Sequence, residues 1–99
     1  HALESRLGVL IGHLLKWQLQ PVRRGASWQR TILVQRKAVA KLLRDNPGLV
    51  PKLDAEMLAD AYDVGVLLAE RETDLPDERF PPACPYALAE LLDEAFWPA

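Results

Sequence analysis

The sequence predicts an all-α fold: a small helical bundle built on an antiparallel helix hairpin, with a third long helix and a short C-terminal one. Three observations predict it. Apolar residues recur at steps of three and four through three long segments, the period that lines one face of a helix. Prolines fall between those segments and never inside them, as expected of a residue without a backbone donor. No stretch alternates apolar and polar residues as a half-buried strand does, and no internal repeat is visible.

The first helix is predicted over residues 3–20. Leu3, Leu7, Leu10, Leu14 and Trp17, with Ile11 alongside, share one face at about 100° per residue. Pro21 stops the helix by disfavouring helical geometry in the residue before it. Gly8 and Gly12 read as tolerated glycines, with a close helix crossing as the lesser alternative. Residues 21–27, PVRRGAS, form a loop ending in Ser27, well placed as the N-cap of a second helix over 28–45. Trp28, Ile32, Val39, Leu42 and Leu43 make its apolar face. Arg30, Lys37, Lys41 and Arg44 fall within about a 60° arc on the opposite side. Trp17 and Trp28 are expected to face each other and seal one end of the hairpin, with Arg23 and Arg24 at the exposed turn, within stacking reach of an indole.

Asn46, Pro47 and Gly48 end the second helix. A third is predicted over 53–72, with Pro51 as an alternative first residue. Met57, Ala61, Val64 and Leu68 form its buried stripe, and Glu56, Asp60, Asp63 and Glu70 line one flank. The proline-rich connection TDLPDERFPPACP is expected to hug the surface with Leu75 and Phe80 tucked in. A last short helix over 85–94 then begins at Cys84 and Pro85, and Phe96 and Trp97 dock back.

Ninety-nine residues, 49% of them hydrophobic, suffice for a single domain, residues 1–99, with a modest core. The uncharged run Leu7–Leu15 is nine residues long, far short of the ~20 that span a bilayer, so no membrane helix is expected. One cysteine, Cys84, cannot form an internal disulfide, which fits a reducing cytoplasm. Charge divides sharply. Residues 1–50 carry nine Lys/Arg against Glu4 and Asp45, a balance of +7; residues 51–99 carry three against twelve acids, a balance of −9. Such asymmetry marks either a nucleic-acid-binding half or two halves that complement each other. The acidic total favours the second.

Three runs resemble a known family: LESRLGVLIGHLLKWQLQPVRRGASW, then QR…LLRDNPGL, then ETDLP…FPPACPYALAELLDEAFWP. Together they are similar to the bacterial family of domain of unknown function 29, and the resemblance covers essentially the whole chain. It implies an all-helical fold with no established activity, and further residues upstream that include another helix. Where that family commonly has glycine, this sequence has Asp74.

Candidates for catalysis are few: Ser5, Ser27, Cys84, His1 and His13. Nucleophilic catalysis needs a base in hydrogen-bond reach of the nucleophile. Cys84, at a predicted helix start, is the sharpest candidate, but no cation neighbours it, and a structural cysteine is the simpler reading. His13, at the edge of the first helix, reads as structural. HExxH, CxxC, EF-hand and glycine-rich phosphate motifs are all absent, so no catalytic, metal or cofactor residue is expected. The expectation is therefore a cytoplasmic, non-catalytic module for protein interaction or self-association. Nucleic-acid binding through Arg23, Arg24, Arg30, Lys37, Lys41 and Arg44 is the alternative.

Overall fold

The computed structural model describes residues 2–99. Helix α1 spans Ala2–Leu19, α2 Ala26–Asp45, α3 Ala55–Thr73 and α4 Leu88–Leu92. Short 3₁₀ turns at Pro21–Arg23, Pro47–Lys52 and Asp77–Arg79 join them, and the described residues contain no strand. Among the described residues no helix is long and apolar enough to cross a membrane.

Helix α1 is the centre of the molecule. Leu3, Leu7, Leu10, Ile11, Leu14 and Leu15 are all essentially inaccessible, and a helix that is apolar on several sides must be covered on several sides. Helix α2 covers one side and runs antiparallel to α1: Arg6 donates to Gln35 Oε1 near one end, and Lys16 lies over the Trp28 ring near the other. Helix α3 covers another side and runs parallel to α1, with Gly8 against Ala61 and Val64, Gly12 against Gly65 and Leu68, and Lys16 paired with Glu72. The α1–α3 contact is the more extensive, while α2 and α3 barely meet. The antiparallel α1–α2 hairpin that the sequence predicts is present, and α3 completes the core by clasping α1 from a second direction.

The clasp depends on glycine. Gly8 and Gly12 are buried in the crossing, and Gly65 faces them from α3. A Cβ on Gly8 would lie 2.6 Å from Val64 Cγ1; one on Gly65 would lie 3.0 Å from both Gly12 N and Gly8 O. These are not tolerated glycines. They let two backbones approach where any side chain would hold them apart.

Several local expectations are corrected. Helix α2 starts two residues early, with Gly25 as N-cap, so Ser27 lies inside its first turn and its carbonyl accepts from Thr31 Oγ1. Pro51 belongs to a 3₁₀ turn. The N-cap of α3 is Asp54, whose carboxylate accepts from Met57 N, so the carboxylate satisfies a donor that Pro51 was not needed to spare. Val64 is 39% exposed, since it rides at the edge of the glycine crossing while Tyr62, Gly65, Ala69 and Thr73 are buried instead. Helix α4 is only five residues long, so Cys84 and Pro85 lie in the connection before it. Glu90 Oε1 accepts from Ala87 N and fixes its start. Phe80 and Leu75 do tuck into the core.

Helix α3 ends on Asp74 with φ 60°, the one positive φ outside glycine among the described residues. Left-handed geometry costs an L-residue roughly 1–2 kcal/mol, less for Asp, and glycine avoids it at some entropic cost in the unfolded chain. Asp74→Gly is expected to raise stability by about 0.5 kcal/mol, or roughly 2–4 °C in Tm. A lower melting temperature would show that the aspartate is favoured at this turn.

Candidate functional site

The cationic side of α2 faces solvent. Arg30, Leu33, Val34 and Lys37, with Ala26 and Gln29, line an open groove of about 270 Å³, and Lys41 and Arg44 continue the row toward the helix end. Val34, in the middle, is 52% exposed. Lys37 approaches Glu94 at 3.4 Å and Lys41 pairs with Asp45 at 2.6 Å, both on the surface. Exposed pairs of this kind contribute only ~0–1 kcal/mol. Arg30 and Arg44 form no ion pair among the described residues, and no cation of α2 reaches an acid of α3.

The two loop arginines part company with that row. Arg23 is exposed beside Val22. Arg24 is half-buried: its Nε donates to Trp17 O at 2.6 Å, its Nη2 donates to Ala99 O at 2.8 Å, and its guanidinium lies 5.1 Å from the Trp17 ring centre. It ties the end of α1 to the C-terminal segment, so it is a structural clamp and not a free surface cation. Trp17 packs on Trp97, ring centres 4.7 Å apart, rather than on Trp28.

Two further cations are buried, and sequence reasoning passed over both. Lys16 Nζ is sandwiched between Glu72 Oε1 at 2.6 Å and the Trp28 ring at 4.9 Å, joining all three long helices. Arg36, 2% exposed, donates from Nε to Leu91 O at 2.9 Å and from Nη2 to Glu90 O at 3.1 Å. A cation there complements the negative end of α4, and its Nη1 has no partner. The only signal for Arg36 was its position: at 100° per residue it falls about 20° beyond Leu43, at the edge of the apolar stripe of α2.

Lys16 holds the Glu72 carboxyl below the ordinary range, through the hydrogen bond first. The sign follows: Glu72 stabilises the fold above its unfolded pKa, and that contribution fades as pH falls through the lower folded value. Glu72→Gln is expected to cost about 1–2 kcal/mol at neutral pH. This is less than a fully buried pair would lose, because Glu72 is 42% exposed. Urea titrations of both proteins from pH 7 to strongly acidic conditions check this; a constant gap would refute the linkage.

The catalytic candidates lie apart. Burial pushes the Cys84 thiol up, and its Sγ contacts Tyr86 O at 3.5 Å. His13 is pulled down by burial, and its Nδ1 lies 2.9 Å from Val9 O, one turn back on its own helix. Ser5 is exposed on α1; His1 lies outside the described residues. Among the described residues no group of three or more His, Cys, Asp or Glu could hold a metal ion.

The family model described as Domain of unknown function DUF29 matches residues 1–97. The chain belongs to the DUF29 family. Neither the comparison with curated proteins nor that with solved structures returns a match. In this DUF29 domain the distant sequence motifs converge on one place. Trp17, from HLLKWQ, stacks on Trp97, from FWP; Gln18 Oε1 accepts from Tyr86 Oη, from CPY, at 2.8 Å; and Tyr86 meets Phe96 edge-on at 6.0 Å. These motif residues bind the C-terminal segment to α1, and their chemistry is packing and hydrogen bonding.

Proposed function

We propose that this domain is a non-catalytic protein-interaction or assembly module of the bacterial cytoplasm, and that it docks through the outward face of α2. One observation carries the reading: a row of cations interrupted by an exposed Val34 lines an open groove, and the acids of α3 leave it free. Interfaces combine an apolar centre with a polar rim, and Val34 flanked by Arg30, Lys37 and Lys41 has that arrangement. The raised Cys84 thiol and the half-buried His13 support a non-catalytic role, since their hydrogen-bond contacts are the backbone carbonyls of Tyr86 and Val9.

Nucleic-acid binding is the second reading, favoured by the absence of α3 acids on this row. It is weaker than it looked from the sequence, because Arg24 is committed to Trp17 and Ala99, and an aliphatic centre does not serve phosphate contacts. The experiment is a photo-crosslinking amino acid at Val34 in the full-length protein inside cells. Adducts with protein support docking, adducts with nucleic acid support the second reading, and no adduct at Val34 overturns both.

A further inference from the structure

The outward face of α3 mirrors that of α2. At 100° per residue, Glu56, Asp60, Asp63 and Glu70 fall within about an 80° arc, and Leu67 lies inside it. Leu67 is 67% exposed, and none of the four acids forms an ion pair among the described residues. Asp63, Val66, Leu67 and Glu70, with Tyr62 and Phe80 behind, line an open groove of about 400 Å³. Each long outer helix therefore presents an exposed aliphatic residue set among charges, of one sign on α2 and the opposite sign on α3.

The spacings match as well as the signs. Along α2 the cations sit at 30, 37, 41 and 44; read backward along α3, the acids sit at 70, 63, 60 and 56. Laid antiparallel, Arg30 meets Glu70, Lys37 meets Asp63, Arg44 meets Glu56, Lys41 and Asp60 are one residue out of step, and Val34 falls beside Leu67. Both rows extend about 21 Å at 1.5 Å per residue. Within one copy the two faces cannot meet, because α2 and α3 cover different sides of α1 and barely touch. Only a second copy can bring them together.

We propose that the partner on the α2 face is a second copy of this chain, docked through the outward face of its α3 in an antiparallel register centred on Val34 and Leu67. This deepens the interaction reading above and rests on it. The contact joins unlike surfaces, so a docked pair keeps one free face of each sign, the cationic one on one copy and the acidic one on the other, for further copies. Its apolar centre is small, and charge complementarity sets register and partner choice more than it sets affinity. The association is therefore reversible and salt-sensitive.

Sedimentation velocity of the purified full-length protein over a concentration series tests this. The mean mass is expected to rise with concentration at about 50 mM salt and to fall back toward the monomer at about 500 mM, where screening is several-fold shorter-ranged. Two charge-reversed variants, Arg30→Glu with Lys37→Glu, and Asp63→Lys with Glu70→Lys, are each expected to weaken association by at least about tenfold, since like charges then face each other. Combining all four substitutions in one chain restores the pairs and is expected to restore association; circular dichroism verifies that each variant folds. A monomer at every concentration, or association indifferent to both reversals, overturns the proposal. A monomer that still gives Val34 adducts with a different protein in cells overturns self-docking alone, whereas a monomer with no adducts overturns the interaction reading too.

Discussion

Gly65→Ala is expected to lose about 2 kcal/mol or more of stability, although alanine is the better helix former by about 1 kcal/mol. The added methyl would lie 2.9 Å from Ile11 Cγ2 and 3.0 Å from Gly12 N and Gly8 O. A side-chain tip can rotate away, but the backbone of a central helix cannot yield without moving every residue packed on it. Overpacking of this kind typically costs 1–3 kcal/mol, sometimes more, and the alanine gain has to be overcome as well. Gly8→Ala and Gly12→Ala are expected to be destabilising too, because a Cβ on Gly8 would lie 2.9 Å from the fixed Val64 Cβ and one on Gly12 3.0 Å from the Gly65 carbonyl oxygen. Gly48→Ala, with nothing within 4 Å, serves as the neutral comparison. Urea midpoints at constant m-value give the ranking. A Gly65→Ala midpoint equal to or above that of the wild type would mean the helices do not cross this closely.

Arg36→Ala is expected to cost about 3 kcal/mol and to release the C-terminal segment. The guanidinium makes two charge-assisted bonds to the final carbonyls of α4, each worth roughly 1.5–3 kcal/mol, and it lies 5.8 Å from the Trp97 ring. Not all of that gain is net. The unpartnered Nη1 leaves part of the desolvation cost without compensation. Arg36→Lys should fall between the two, because an ammonium cannot reproduce the planar fork that reaches two carbonyls at once. Denaturant unfolding measures the loss, and tryptophan emission reports the release, since Trp97 is held between Arg36 and Trp17. A full loss of stability with unshifted emission would place the role of Arg36 in the core rather than in holding the tail.

Both effects were written in the sequence only in part. The period of three and four found every long helix, because burial on one face imposes it locally and within twenty residues. What it cannot state is which helices pair. Gly8 and Gly12 looked dispensable because Gly65, which explains them, comes more than fifty positions later. Arg36 was passed over for a different reason: counting charge places it among nine cations, counting angle places it only at the edge of the apolar stripe, and the α4 carbonyls that bury it lie more than fifty positions away. Trp17 was expected beside Trp28, its neighbour along the chain, yet Lys16 takes that ring and Trp17 turns to Trp97. Of the six cations proposed as a surface, four lie along the outward side of α2 as drawn by angle. Arg24 was misplaced because its carbonyl partners, Trp17 O and Ala99 O, carry no sequence signature.

The central position of α1 also bears on how this chain emerges from the ribosome. Its most apolar helix is made before either helix that covers it, and the glycine that seats its main cover, Gly65, follows Gly12 by 53 residues. At about 5–20 residues per second that is a delay of roughly 3–10 s. During that interval α3 cannot yet cover the glycine-lined side of α1. Nascent chains halted before Gly65 should therefore bind a holdase or aggregate, and chains halted after Ala99 has cleared the exit tunnel should not.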